Sequence, residues 1–138
     1  MKVKRLDESA KLPQRATEGA HGYDICAIDG WEIDPGERIK FRTGIAVQIP
    51  YGMAGCLRPR SGLADDYGIQ VMAGEIDSDF RGELKVILYN AGDAPVEIEP
   101  GDAIAQLKVH PVSLDEPQEV NKLDPSVRDK SGFGSTGR

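Results

Sequence analysis

The sequence predicts an all-β domain, built as a sandwich, jelly roll or barrel. Three observations support this fold class: apolar and polar residues alternate in several short segments, turn residues separate these segments, and helical periodicity is nearly absent. Short strands at such spacing are typical of closed or layered β folds. The chain has 138 residues, which fits one domain of this kind.

The strand signals lie in the middle and later part of the chain. Residues 38–42 and 44–49 alternate between apolar and polar side chains. Residues 84–89 form a longer apolar run, which predicts a strand buried on both faces. Val96 and Ile98 alternate with glutamates. One face of a last predicted strand would present Ala103, Ala105, Leu107 and Val109.

Turn residues separate the predicted strands, and only one segment looks helical. The turns are rich in Gly, Pro, Asn and Asp, at residues 34–36, 50–52, 90–93 and 100–102. The helical segment covers residues 61–67, with Ser61 as the expected N-cap.

The C-terminal residues differ from the rest because they lack periodicity and end in a Gly-rich stretch. Such a stretch has too few large side chains to pack by itself. We therefore predict a β domain over residues 1–120 and a flexible, Gly-rich C-terminal arm over residues 121–138.

Composition and charge exclude several classes of protein. The net charge of −6 argues against nucleic-acid binding, which needs a basic surface. No apolar run is long enough to span a membrane, and the N-terminal residues lack the apolar core of a signal peptide. Cys26 and Cys56 form no closely spaced pair with each other or with His21 and His110, which argues against a zinc site. Two free thiols are expected in a reducing compartment, so the predicted location is the cytoplasm, or the nucleus if the source is eukaryotic or viral.

Two segments have the composition of phosphate-binding loops. Residues 131–137 combine Gly, Ser and Thr, whose free N–H groups suit phosphate, and Arg128 adds a planar donor fork. A disordered tail explains the same composition, although Phe133 within it calls for a partner surface. Arg60 and Ser61 precede the predicted helix, where they could bind phosphate or simply form a surface turn.

Residues 74–83 predict a hairpin whose loop is charged. Asp77 and Asp79 are two residues apart, so one can act as a general base while the other pairs with Arg81. A solvated hairpin tip accounts for the same charges.

Two further polar side chains interrupt the β pattern. Gln106 lies within an apolar strand, where its amide must find hydrogen-bond partners, unless the strand is at a sheet edge. Asp24 could hold a metal ion through water, or could end a turn.

In order and spacing, these five segments resemble the five motifs of the trimeric dUTPase family. The resemblance runs from Leu12 to the C-terminus, and its most specific parts are residues 59–64, 76–83 and 132–137. It implies an eight-stranded, distorted jelly-roll or β-barrel subunit of the β-clip type that forms a closed homotrimer with shared active sites. The implied reaction is Mg²⁺-dependent hydrolysis of dUTP to dUMP and pyrophosphate. That reaction supplies dUMP for dTTP synthesis and keeps uracil out of DNA.

The resemblance also implies a role for each motif residue. Asp77 would bind the sugar 3′-hydroxyl and orient the attacking water, while Asp24 would hold Mg²⁺ through water. Phosphate oxygens would be held by Ser61 and Gln106, and Phe133 would stack on the uracil as a lid. The full set of implied substrate-binding residues is Arg60, Ser61, Gly62, Ala73, Gly74, Ile76, Phe80, Gln106, Arg128, Phe133, Gly134, Ser135 and Thr136.

The chain departs from the family pattern at a few positions, and two alternatives compete with dUTP hydrolysis. Phe80 stands where the family usually has Tyr, and Glu75 stands where Val is usual. Other departures are His21, Asp129 and Ser131. A related dCTP deaminase would usually have Glu at the position of Asp77. A non-catalytic nucleotide-sensing protein on the same fold is the second alternative.

Overall fold

Two four-stranded sheets and a two-stranded sheet share one apolar core in the computed structural model, which describes residues 1–127. Ten strands and one helix lie within this range. In chain order they are β1 (Lys2–Arg5), β2 (Tyr23–Cys26), β3 (Trp31–Ile33), β4 (Arg38–Gln48), β5 (Met53–Arg58), α1 (Ser61–Tyr67), β6 (Ile69–Met72), β7 (Glu75–Ile76), β8 (Glu83–Asn90), β9 (Val96–Ile98) and β10 (Ala103–Pro111).

All strand pairings are antiparallel. The first sheet has the order β1-β4-β8-β6, the second β2-β10-β5-β7, and β3 pairs with β9 separately. A mostly-β fold with one short helix is therefore confirmed. The two larger sheets together hold eight strands, the number that the family resemblance implies, and the short β3-β9 pair adds two more. The closed trimer stays a prediction, because the structure contains a single chain.

The core forms between the inward faces of the sheets. Fully buried side chains from both sheets belong to one hydrophobic cluster. Its members include Phe41, Ile45, Val86, Leu88, Ile25, Leu57 and Leu107. Burying each large apolar side chain contributes about 1.5–3 kcal/mol, so this cluster fixes how the sheets pack against each other.

The predicted burial of β8 on both faces is wrong for the described chain. Leu84, Val86 and Leu88 are fully buried, whereas Lys85 is exposed and Ile87 is only half-buried. The strand therefore alternates with the period of two that its pleat requires, since only one face of its sheet lies on the core.

The predicted common face of β10 is also interrupted. The pairing of β10 with β2 shifts register between Ala103 and Ala105, so that Ile104 and Ala105 are both buried while Ala103 is half-buried. An inserted residue of this kind is a β-bulge, which reverses the side on which the following residues lie.

The two alternating segments before residue 50 form the single strand β4, with an irregularity in its middle. The register against β8 shifts between Arg42 and Ala46, and Gly44 there has a φ of 65°. Turn-like backbone at this point explains why the sequence pattern shows two segments.

Helix α1 forms where predicted, but Ser61 is not its N-cap. Arg60 occupies the cap position with extended backbone, and no side chain caps the helix. The helix ends at Gly68, whose φ is 71° and whose N–H bonds to the carbonyl of Ala64. The Ser61 hydroxyl is therefore available for a different contact.

The two cysteines have free thiols, as predicted. Cys26 is paired with Ala103 and Cys56 with Lys108, so β10 separates them. Burial is the main cause that raises the pKa of both thiols above its ordinary value. Within residues 1–127, no helix has the length and apolar character needed to cross a membrane.

The last part of the described chain, residues 112–127, contains no helix or strand. The division into a β domain over residues 1–120 and an arm over residues 121–138 stays a prediction.

The close packing of Gly68 makes a prediction for stability. A Cβ at Gly68 would lie 2.7 Å from the amide nitrogen of Gly92, whereas a Cβ at Gly36 would have nothing within 4 Å. Both residues have positive φ, so Gly36→Ala should lower the free energy of unfolding by about 1–2 kcal/mol through backbone strain alone. Gly68→Ala should lower it by about 1–3 kcal/mol more, because the methyl group also overlaps backbone atoms. Urea unfolding of both variants measures the difference, and equal losses would contradict the packing argument.

Candidate active site

Asp24 and Gln106 lie opposite each other on neighbouring strands. Asp24 in β2 is the register partner of Gln106 in β10, which in turn is the register partner of Arg58 in β5. Directly opposed residues of antiparallel strands share a face of the sheet. The Gln106 amide Nε2 donates to Asp24 Oδ1 at 3.2 Å. The partner that the sequence required for this amide is therefore a carboxylate on the adjacent strand.

Arg60 lies on the other side of the same carboxylate. It follows the end of β5, and its Nη1 donates to the carbonyl of Ala103 at 2.9 Å. Its Nε lies 3.9 Å from Asp24 Oδ1, with 40% and 23% of the two side chains exposed. Such a half-exposed ion pair contributes little to stability but fixes the direction of the guanidinium. Asp24 Oδ2 accepts no hydrogen bond from the described part of the chain.

Gly22 makes room for this arrangement, and the sequence analysis missed it. A Cβ at Gly22 would lie 3.1 Å from Gln106 Oε1 and 3.2 Å from Gln106 Cβ. The Gln106 side chain therefore lies across the backbone of Gly22 on its way to Asp24. The only sequence signal was a glycine two residues before a candidate site residue.

Ser61 and Gly62 are exposed at the start of α1, next to Arg60. The first turn of the helix has no acidic side chain, and the Ser61 hydroxyl has no partner among residues 1–127. The pairing of β5 with β10 brings these residues close to Gln106, because the end of β5, just before α1, lies opposite Gln106.

The backbone at Ala73 and Gly74 is held tightly against β5. Ala73 has a φ of 60° and Gly74 a φ of 126°. The Leu57 N–H donates to the Gly74 carbonyl at 2.8 Å, and a Cβ at Gly74 would lie 3.0 Å from the Leu57 carbonyl oxygen. Ile76 then pairs with Gly55. A side chain at position 74 would therefore be strained by this φ and would crowd the Leu57 carbonyl.

Asp77 and Phe80 lie on the turn after β7. The Phe80 N–H donates to the Asp77 carbonyl at 3.2 Å, which closes the turn. Asp77 is exposed, and 40% of Phe80 is exposed. The expected pairing of Arg81 with a carboxylate is wrong: its Nη1 donates to the carbonyls of Ser78 and Phe80, at 2.7 Å each. Among the described residues, the Arg81 guanidinium therefore bonds to carbonyls of its own loop and to no carboxylate.

Asp77 and Asp24 are far apart within one chain. Their strands β7 and β2 are the two edges of the same sheet, which places them about 14 Å apart across three strand spacings. Ile76 pairs with Gly55, whereas Gln106 pairs with Arg58, so Asp77 lies roughly another 14 Å away along the strands. One chain therefore brings together Asp24, Arg60, Ser61 and Gln106, but not Asp77.

Five of the predicted site residues lie outside the described residues. They are Arg128, Phe133, Gly134, Ser135 and Thr136.

No group of three or more His, Cys, Asp or Glu side chains that could hold a metal ion exists within residues 1–127. The role of Asp24 in holding Mg²⁺ through water stays a prediction.

Comparisons with known proteins identify the family of this chain. The family model described as dUTPase matches residues 8–137. The chain is 47% identical over 135 residues to the deoxyuridine 5′-triphosphate nucleotidohydrolase of Paramecium bursaria Chlorella virus 1, covering 98% of this chain and 96% of the relative. It is 48% identical over 138 residues to that of Hydrogenobaculum sp., with coverage of 98% and 96%.

Solved structures show the same fold. The dUTPase of Staphylococcus bacteriophage 80alpha with dUPNHPP superposes with a TM-score of 0.94 at 28% identity, covering 99% of this chain and 98% of that chain. A mutant dUTPase from phage phi11 of S. aureus, which shows the coordination of a structural Mg(II) ion, has a TM-score of 0.84 at 26% identity, with coverage of 90% and 98%. Since the family model covers nearly the whole length and the curated relatives exceed 40% identity, the chain belongs to the dUTPase family.

Proposed function

We propose that this protein hydrolyses dUTP to dUMP and pyrophosphate. The observation that carries the proposal is the identity of 47–48% over nearly the full chain to deoxyuridine 5′-triphosphate nucleotidohydrolases. The arrangement of the polar side chains supports it independently, because phosphate-binding donors and a candidate base are both present in the folded chain.

The triphosphate would lie at the group formed by Arg60, Ser61 and Gln106. Arg60 supplies a fixed positive charge, and its guanidinium keeps donors beyond those bonded to Ala103 and Asp24. The free Ser61 hydroxyl and the Gln106 amide supply neutral donors nearby. Donors fixed before the reaction stabilise charge that develops on phosphate oxygens without further reorganisation.

Mg²⁺ would be held by Asp24 through water. The carboxylate is half-buried, both of its protein contacts use Oδ1, and the other oxygen can accept a hydrogen bond from a metal-bound water. When bound, the ion neutralises negative charge on the phosphates.

Asp77 would orient the water that attacks the α-phosphate. Its exposed carboxylate stands on a closed turn, so its position is set by backbone hydrogen bonds. Phe80 would pack under the deoxyribose, and the backbone of Ala73, Gly74 and Ile76 would read the uracil edge. A positioned water and base, with the phosphate charge neutralised, meet the needs of phosphoryl transfer.

The separation of Asp77 from Asp24 supports a site shared between chains. Since the two carboxylates stand at opposite edges of one sheet, a complete site needs the hairpin of a second chain. We therefore propose a closed homotrimer in which each interface repeats the same contact. The arm that would supply Arg128 and Phe133 comes, in this proposal, from a third chain, and closes over the nucleotide. Two free thiols fit the proposed cytoplasmic location.

A nucleotide-dependent signalling role is a second candidate. The phage 80alpha dUTPase, to which this chain is 28% identical, is described as controlling transfer of virulence genes by a G protein-like mechanism. In that case, nucleotide binding would matter more than turnover.

The substrate range provides the first test. With Mg²⁺, pyrophosphate should be released from dUTP and not from dTTP, whose 5-methyl group would meet the backbone at Ala73 and Gly74. UTP should be poor, because its 2′-hydroxyl would meet Phe80, and a chelator should stop the reaction. Pyrophosphate and ammonia are measured in parallel with dUTP, dCTP, dTTP and UTP. Ammonia from dCTP would identify a deaminase instead, and tight dUTP binding without product would favour the signalling role.

A matched pair of variants tests the base. Asp77→Asn should lower kcat by roughly 10²–10⁴ and leave the melting temperature unchanged, because the exposed side chain makes no packing contact. Asp79→Asn, two residues away on the same loop, should leave kcat close to that of the wild type. Similar losses in both variants would show that loop charge, and not a positioned base, is responsible.

Mixed oligomers test the shared site. Asp77→Ala and Gln106→Ala homotrimers should each be nearly inactive. After co-refolding in equal amounts, about one quarter of the sites should combine an intact hairpin from one chain with an intact Gln106 from another. Native mass spectrometry confirms the mixing. If mixed oligomers are as inactive as the separate variants, both residues must come from one chain.

A further inference from the structure

Arg81 makes the only side-chain hydrogen bonds to the backbone of the Asp77 loop within the described residues. Its Nη1 donates to the carbonyls of Ser78 and Phe80 at 2.7 Å each. The Asp77 carbonyl is already taken by the Phe80 N–H. Three carbonyls of a short turn are therefore fixed in direction, two of them by one guanidinium.

The same segment seats the Phe80 ring. A Cβ at Gly82 would lie 2.8 Å from the ring atom Cζ of Phe80, so the ring lies directly over the glycine. Arg81 holds the main chain of Phe80 through the hydrogen bond to its carbonyl, and the Phe80 ring lies against the next residue after Arg81, Gly82.

Glu83 anchors the exit of the loop to the neighbouring strand. Its Oε1 accepts from the Gly44 N–H at 3.0 Å and lies 3.3 Å from Arg42 Nε. The register shift between β4 and β8 occurs here, so the carboxylate replaces a ladder bond that the irregular backbone cannot make. The Glu83 side chain is 17% exposed, which strengthens these charge-assisted bonds.

From these contacts we infer that Arg81 is a positioning residue, which holds the Asp77 carboxylate and the Phe80 ring in the geometry needed for hydrolysis, with Glu83 fixing the loop on β4. The inference rests on the proposed function, because Asp77 is the proposed base. Arg81 itself does not need to touch the substrate. Its guanidinium points into the loop, towards carbonyls, and forms no ion pair within residues 1–127.

The rate of an enzymatic reaction varies sharply with the position of a catalytic group. An exposed six-residue loop without internal bonds would sample many conformations, and only a few would place the carboxylate correctly. A displacement of about 1 Å in a catalytic group can cost on the order of 10²-fold in rate. Asp77 and Phe80 would contact the sugar, but most of the binding contacts, to the uracil edge and the phosphates, depend on other segments. Loss of the Arg81 hydrogen bonds should therefore lower kcat by a larger factor than it raises KM.

Arg81→Met keeps the aliphatic stem and removes the donors. We expect kcat for dUTP to fall roughly 10- to 100-fold, with a smaller rise in KM and a melting temperature nearly unchanged. Arg81→Lys keeps a donor that can reach one carbonyl and should retain more activity than Arg81→Met. Lys85→Met is the matched control, since it removes an exposed cation from the adjoining strand β8 without touching the loop.

Glu83 variants test the anchor separately. Glu83→Gln keeps an oxygen that can accept from the Gly44 N–H, and should retain most of kcat, whereas Glu83→Ala should not. A role in overall folding alone would lower the melting temperature of both variants and leave kcat of the folded fraction intact.

Each outcome decides one of the two claims. An inactive wild-type protein would overturn the proposed function. An active wild type with Arg81→Met indistinguishable from Lys85→Met would overturn the inference. The same conclusion follows if Arg81→Met does not fold, because Arg81 would then support the whole domain, or if KM rises while kcat is unchanged, because the guanidinium would then bind the substrate.

Discussion

The register of β10 between β2 and β5 is the constraint on which the candidate site depends. It sets Gln106 opposite both Asp24 and Arg58, and it brings the start of α1 to the same end of the sheet. A shift of one residue would turn the Gln106 amide from the polar face into the core, where Leu107 now lies. The apolar side chains of β10 therefore hold its polar side chain in place. Gly22 completes the arrangement, because the Gln106 side chain lies so close to its backbone that a Cβ there would crowd the amide.

The same sheet separates the two halves of the chemistry. Its β2 edge presents the groups suited to phosphate and metal, and its β7 edge presents the hairpin with the candidate base. A sheet of four strands is too wide for side chains to meet across it, which is the reason we propose a site shared between chains. On the hairpin side, hydrogen bonds to backbone carbonyls take the place of a hydrophobic core. This arrangement suits an exposed loop that, in the proposed trimer, would meet a nucleotide bound at another subunit.

Sequence patterns predicted the strands well where one periodicity was undisturbed, and poorly where the backbone was irregular. The burial of β8 was overestimated because Ile87 and Tyr89 are apolar but lie on the outer face. The predicted common face of β10 was wrong at Ala103, because nothing in the amino-acid composition of the strand indicates a β-bulge. Ser61 was assigned a capping role that the extended backbone of Arg60 takes instead. Of the site residues, Asp24 and Gln106 were predicted separately, and their contact could not be, since 82 positions separate them in the chain.

The sequence by itself determined the mostly-β class, the positions of the turns and the family. Periodicity, turn residues and motif order can all be recognised along the chain without a structure. Only the tertiary structure decided which of the motif residues meet. It joined Asp24, Arg60 and Gln106, placed Asp77 at the far edge, and turned Arg81 towards carbonyls instead of carboxylates. The physical reason is that strand pairing and register are fixed by long-range burial of the core, and the direction of a polar side chain follows from that register and not from its neighbours in sequence.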